Sequence, residues 1–265
     1  MPSNYEKAYM DLVREVLIEG ELRPTRNAPA FSTFGKLLKV DSALHSRFPI
    51  LEGRKMFPKG VFGELAAFFK GPKTLKDFTD EGCNFWEMWG EDDGSIELDY
   101  GNVWRDFNGV DQLDAVLTSL STDPHGRRHI ISGWRPDRVD SLSLPCCHIL
   151  YQWYVNNGGE LEMIWYQRSV DLMVGLPSNV LSASAWNLMF ADHLGLRPGK
   201  LTMMLGDVHI YEAHRKGAET YLAQAFDTPD DGVDFFYEDN LETFNKNSIS
   251  LISYSPKPAI NFELF

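Results

Sequence analysis

Apolar residues recur at helical spacing from the start of the chain. Tyr5, Tyr9, Leu12, Val13, Val16 and Leu17 share one face, which predicts a first helix with Ser3 and Glu6 as a capping box and Gly20 as its stop. The segment from Pro24 to Pro29 reads as irregular. A second helix is predicted over Val61 to Lys70, placing Glu64 on a largely apolar surface, and a third from near Asp111 to just before Asp123-Pro124 on the stripe Leu113, Val116, Leu117 and Leu120. The middle of the chain then switches to strand character. His129 to Trp134, Cys147 to Val155 and Leu161 to Gln167 are β-rich, and Asn156-Asn157-Gly158-Gly159 joins the last two as a hairpin turn. Val180 to Leu194 reads as a buried helix stopped by Gly195, and Lys200 to Leu205 as a strand after a Pro-Gly turn. The acidic stretch Asp227 to Asp234 reads as a solvated loop. With no repeat, low-complexity tract or linker, the expectation is one mixed α/β (α+β) domain over residues 1–265.

Composition changes this picture little. The 265 residues, 43% hydrophobic and 24% charged, can bury a substantial core. A formal net charge of −13 argues against a nucleic-acid partner, because phosphate backbones demand an excess of Lys and Arg. A small anion held by a few arginines remains compatible with it. Three cysteines, two of them adjacent, make a poor disulfide framework and suggest a reducing, cytoplasmic setting. No run of about 18 uncharged apolar residues indicates a membrane partner.

The candidate chemistry gathers around Cys147, in Leu144-Pro145-Cys146-Cys147-His148. A free cysteine is more often structural than catalytic, and adjacent strand residues face opposite ways, so His148 is not thereby the base of a Cys–His pair. Arg168, in Gln167-Arg168-Ser169, ends an apolar strand, and Arg127-Arg128 follows a turn. Arginine forks suit a phosphate, although for Arg127-Arg128 alone surface ion pairing is the favoured reading. Asp207, His209, Tyr211 and His214 match no closed zinc spacing. On a strand, His209 and Tyr211 would share a side where both can meet a sugar hydroxyl. Trp86, Trp89 and Trp104 are core residues by default, or walls for a flat heteroaromatic group. No phosphate-cradling glycine loop is present.

Taken in order, Phe48-Pro49, Gly63-Glu64-Leu65, Trp86 to Trp89, Tyr100 to Arg105, Arg127-Arg128, Pro145 to His148, Tyr166 to Asp171, Gly175 to Asn179 and Gly206 to Tyr211 resemble the thymidylate synthase family. The match spans nearly the whole chain. It implies a homodimeric fold whose large mixed β-sheets pack back to back as the dimer interface. It implies a pyrimidine deoxynucleotide monophosphate as substrate and 5,10-methylenetetrahydrofolate as carbon donor, with no metal.

By the same resemblance Cys147 is the nucleophile that adds to ring carbon 6, with Tyr100 and His148 among the catalytic residues and Glu64 managing proton transfer at carbon 5. Arg168 and Ser169 bind phosphate, joined by Arg26, while Arg127 and Arg128 reach the partner's phosphate. His209 and Tyr211 hold the sugar, and Gln167 lies on the substrate side. Asp171 contacts base and folate, with Trp86, Trp89 and Gly175 on the folate side. Asn179 complements the N3–H donor and O4 acceptor of uracil and so favours dUMP over dCMP, provided neighbours fix its amide.

The chain departs from the family pattern in four places. The loop Arg26-Asn27-Ala28-Pro29-Ala30-Phe31 is shortened, Cys146 precedes the nucleophile, Ser178 precedes Asn179, and the tail ends Asn261-Phe262-Glu263-Leu264-Phe265. These bear on whether the transferred carbon ends as methyl or, through water, as hydroxymethyl, as in viral DNA-modification pathways. Trp86, His148 and the approach Tyr254 to Ile260 tip the expectation to methylation, with hydroxymethylation of dUMP, or less readily dCMP, as the alternative.

Overall fold

A computed structural model describes residues 3–40, 47–228 and 233–265. The chain opens with α1 (Asn4–Glu19), β1 (Glu21–Arg23) and the long β2 (Ala30–Val40). It continues through α2 (Pro58–Lys70), α3 (Leu75–Asp80), α4 (Gly101–Arg105) and α5 (Gln112–Thr122). The strands β3 (Ile130–Ser132), β4 (His148–Val155) and β5 (Glu160–Asp171) lead into α6 (Gly175–His193) and β6 (Arg197–Tyr211). α7 (Arg215–Ala225) and the hairpin β7 (Asp234–Tyr237) with β8 (Ile249–Ile252) complete the order. Residues 229–232 of the acidic stretch lie outside the described residues, and its last member, Asp234, opens β7 rather than ending a loop.

Six strands form one sheet in the order β1-β2-β6-β5-β4-β3. Only β5 and β6 run parallel, with α6 as their crossover. That helix is apolar nearly all round, and fourteen of its residues, from Leu176 to Ala191, are buried against β5, β6 and α2. α1 covers the β2 side and meets α7. The ring cluster of Trp104, Tyr151, Trp153, Trp165, Trp186 and Phe190 fills the space beneath, with Trp104 and Trp186 centroids 4.4 Å apart. Trp104 is therefore core.

Among the described residues no helix packs on the opposite face of the sheet. Register and two-residue alternation line up Leu37, Met204, Tyr166 and Leu150 in one row and Lys39, Thr202, Ile164 and Gln152 in the next. Leu37, Met204 and Tyr154 on this face are exposed, as is Ile130 on the edge strand beside Gln152. Among the described residues no helix is long and apolar enough to cross a membrane.

One expected detail of α1 changes. The Ser3 hydroxyl does accept the Glu6 N–H, at 3.2 Å. The Glu6 carboxylate, instead of closing a capping box, turns inward and accepts from Gly53 N–H at 2.7 Å, Glu52 N–H at 3.2 Å and the Tyr221 hydroxyl at 2.9 Å. Burying a carboxylate demands such donors, and α1 is thereby tied to the loop that carries Arg54.

Candidate active site

The carboxyl-terminal halves of β5 and β6 bring the polar residues together. Pairing sets Gln167 between His148 and Leu205, Ser169 beside Asp207, and Asp171 beside His209, which in turn faces Ser32. Cys147 lies just before β4, half-buried, and its main chain stays in the ladder by accepting the Arg168 N–H at 2.9 Å. The Tyr100 hydroxyl accepts the Cys147 N–H at 2.9 Å and also hydrogen-bonds the thiol. Burial pushes the Cys147 thiol up. The Arg168 cation, that hydroxyl and, more weakly, Arg26 pull it back down.

Arg168 is bent back over its own neighbours. Its Nε donates to the Cys146 carbonyl at 2.7 Å and a terminal nitrogen to that of Pro145 at 3.1 Å, while the guanidinium covers the Trp134 ring at 5.4 Å. It therefore braces the nucleophile turn as well as charging it. Cys146 points into the core against the main chain of Asp99, with its thiol pushed well up by burial. His148 is buried among Tyr100, Trp165 and Phe68, hydrogen-bonds Tyr151, and burial drives its pKa down to about 3. It is a neutral packing and orienting group near Tyr100, not a proton carrier at neutral pH.

Asn179, on the first turns of α6, donates one amide hydrogen to Gln167 Oε1 at 2.8 Å. With the two amides oriented this way, the second hydrogen and Oδ1 of Asn179 are left for a ligand. Gly175 lies one turn earlier, where an added Cβ would fall 3.9 Å from Asn179 Nδ2. The Ser178 hydroxyl is turned onto the Val174 carbonyl at 3.2 Å.

His209 and Tyr211 do share a side, with ring centroids 5.1 Å apart. His209 Nδ1 lies 3.0 Å from Asp207 Oδ1, and Asp207 also accepts from Arg23 at 2.9 Å and Ser32 at 3.4 Å. The Tyr211 hydroxyl meets Asn27, so the shortened loop reaches the sugar side and carries Arg26 with it. Asp171 accepts from Met173 N–H at 2.7 Å and Val174 N–H at 3.3 Å on one oxygen; the other lies 4.0 Å from His214.

Glu64 projects from α2 and receives the Trp86 indole N–H at 2.8 Å. Burial raises its pKa to about 7, with that hydrogen bond as the opposing influence. Trp86 packs on Trp89 at 5.5 Å and on Tyr100 at 5.5 Å, joining the carboxyl to the nucleophile's surroundings. A carboxyl that titrates near neutrality and is joined through Trp86 and Tyr100 to the nucleophile's surroundings can pass protons while the sulfur forms and breaks a bond.

The thiol thus comes from the segment just before β4, the carboxyl from α2 and the amide from α6. A thymidylate synthase family profile matches residues 7–265. The chain belongs to the thymidylate synthase family. It is 34% identical, over 286 aligned positions covering 97% of this chain and 98% of the relative, to the thymidylate synthase of Mycoplasma pneumoniae. Family membership implies folate-dependent one-carbon transfer to carbon 5 of a pyrimidine nucleotide, with methylenetetrahydrofolate as donor.

Arg127 and Arg128 stand apart from the other candidates. They are exposed on the loop before β3, two and three residues from Ile130 at the edge of the bare sheet face. Sequence reasoning missed Asp207 as the hub of the sugar side, Asn27 on Tyr211, and Arg54. Arg54 is buried, donates to the Met173 carbonyl and covers the Phe262 ring at 4.9 Å. The alternation of polar residues along the strand is the signal for Asp207, which stands two residues before His209 on the same face; nothing local marks Arg54.

Proposed function

We propose that this chain is a thymidylate synthase that methylates dUMP, yielding dTMP and dihydrofolate. The observation that carries this reading is the Asn179 amide held by Gln167 beside a thiol flanked by Arg168 and Tyr100. With one hydrogen engaged by Gln167, the Asn179 Oδ1 accepts the uracil N3–H and the remaining Nδ2 hydrogen donates to O4. Cytosine offers the reverse pair and would bury two mismatched polar groups.

In this reading Arg168, Ser169 and Arg26 take the phosphate, and His209 with Tyr211 takes the sugar hydroxyl. The Cys147 sulfur, its thiolate favoured by Arg168 and Tyr100, forms a bond to ring carbon 6, and the ring electrons move toward carbon 5 and O4. Methylenetetrahydrofolate, when bound, supplies the carbon and, for a methyl product, the hydride. Glu64 organises removal of the carbon 5 proton, and breaking the sulfur–carbon bond restores the ring. Trp86, Trp89 and the Asp171 carboxylate offer two flat walls and an open acceptor suited to a ring bearing N–H donors. The Ser178 hydroxyl, occupied by its own helix, is a poor conduit for water, and the aromatic tail packed on Tyr211 favours a dry cleft.

The same reading makes the protein a homodimer. The bare sheet face, with Leu37, Met204, Tyr154 and Ile130 exposed among polar neighbours, is the kind of surface that is buried by a second copy, and Arg127 with Arg128, which border it, reach the partner's phosphate in this reading. Incubation with 5-fluoro-dUMP and methylenetetrahydrofolate tests the covalent step. A stable ternary adduct is expected by mass analysis, absent in Cys147→Ser. An unmodified wild-type chain would refute nucleophilic catalysis by Cys147.

A further inference from the structure

Two buried histidines, His129 and His214, are left without a part in the chemistry above, and of these His214 lies beside Asp171 and Tyr211. His214 closes a short turn after β6 and is 3% exposed. Its Nε2 lies 2.9 Å from the Glu263 carbonyl oxygen, an acceptor, so Nε2 carries the hydrogen. In the neutral ring Nδ1 is then a lone pair. It has no hydrogen-bond partner among the described residues, and Asp171 Oδ2 lies 4.0 Å away. The ring also sits 5.0 Å from Phe262, 5.4 Å from Phe265 and 5.5 Å from Tyr211.

Phe265 also packs on Tyr211 at 4.6 Å and Phe262 under Arg54 at 4.9 Å, but the remaining anchors grip the tail away from the reacting groups. The Lys257 N–H donates to the Glu52 carbonyl at 2.8 Å, and the Tyr254 hydroxyl lies 3.0 Å from the Leu51 carbonyl. Phe262 seats on α7 at Gly217, where an added Cβ would fall 2.5 Å from its ring. Unlike these, His214 meets both the last residues of the tail and a group assigned to the site.

We propose that His214 is a positioning residue that latches Glu263–Phe265 onto Tyr211 and Asp171, and thereby governs folate retention and water exclusion over the reacting carbon. The inference rests on the reading of Asp171 and the tail as the folate side of the cleft. Its physical basis is one directed N–H to a tail carbonyl plus ring contacts to both tail phenylalanines. His214→Phe keeps the ring and removes the N–H; His214→Gln keeps an amide N–H at nearly the same reach.

Three readouts test this in the full-length enzyme. Removal of Phe265 by a carboxypeptidase reports tail docking without any turnover. It should run about tenfold faster in His214→Phe, the worth of one net hydrogen bond, and return toward wild type in His214→Gln. The KM for methylenetetrahydrofolate should rise about tenfold in His214→Phe with the KM for dUMP within about twofold, and part of the product should become hydroxymethyl-dUMP. Unchanged tail digestion, or equal rises in both KM values, overturns the latch. A wild-type enzyme that forms no dTMP would instead refute the parent reading, whatever the digestion shows.

Discussion

Trp86→Phe isolates the single hydrogen bond that opposes the burial of Glu64. The indole N–H sits 2.8 Å from Glu64 Oε1 and favours the ionised carboxylate, while desolvation favours the neutral acid and sets the pKa at about 7. A hydrogen bond to a charged acceptor contributes about 1.5–3 kcal/mol, and one pKa unit corresponds to about 1.36 kcal/mol. Losing the donor should therefore raise the Glu64 pKa by about one to two units. Phenylalanine keeps a ring to stack on Phe78, whose centroid lies 5.4 Å from that of Trp86, so the fold should survive. The assay is the pH dependence of kcat/KM for dUMP, followed by dihydrofolate formation, which reports groups of the free enzyme. The limb assigned to Glu64 should move upward by that amount and vanish in Glu64→Gln. A limb that stays in place in Trp86→Phe, or moves down, would refute the assignment of Glu64 as the titrating proton carrier.

Glu64→Gln should also gain stability with a definite pH dependence. The folded carboxyl titrates at about 7, above its ordinary 4.5, so its contribution is intact below about 4.5 and lost as pH rises through 7. Urea unfolding should find the variant about 1–3 kcal/mol more stable than wild type at pH 8 and nearly equal to it at pH 5, at the expense of activity. Asn179→Asp should exchange substrates, lowering kcat/KM for dUMP and raising that for dCMP, each by roughly tenfold or more; retained preference for dUMP in steady-state assays would count against the amide pairing. Mixing inactive Cys147→Ser with an Arg127→Ala/Arg128→Ala double variant should regenerate activity in heterodimers. Each mixed dimer can hold one site with both an intact thiol and the partner's arginines, and no recovery would argue against arginines acting across the interface.

The strands around the nucleophile were legible because their signals are local. Asn156-Asn157-Gly158-Gly159 closes its hairpin as turn chemistry requires, with Gly159 at φ +73°. β2 escaped detection because Ser32, Thr33, Lys36 and Lys39 put polar residues on both of its faces and Gly35, also at φ +73°, interrupts its centre, leaving Phe34 and Leu37 exposed in a ladder whose register with β6 is unbroken. β6 runs well past Leu205 because its second half is buried with polar residues, Asp207 and His209, that pair with each other rather than with water. α7 buries only Ala218, Tyr221 and Ala225, a stripe too sparse to read as periodic. Within the site, ordered motifs named the thiol, carboxyl and amide. The Gln167–Asn179 bond and the Trp86–Glu64 bond that set their properties depend on register and helix placement. The His214–Glu263 contact joins residues 49 apart, beyond any local pattern.

The fate of the transferred carbon bears most directly on the proposed activity. Purified enzyme incubated with dUMP and methylenetetrahydrofolate should yield dTMP and dihydrofolate in equal amounts, identified by product mass and by absorbance. Hydroxymethyl-dUMP without dihydrofolate, or no nucleotide product at all, would contradict it.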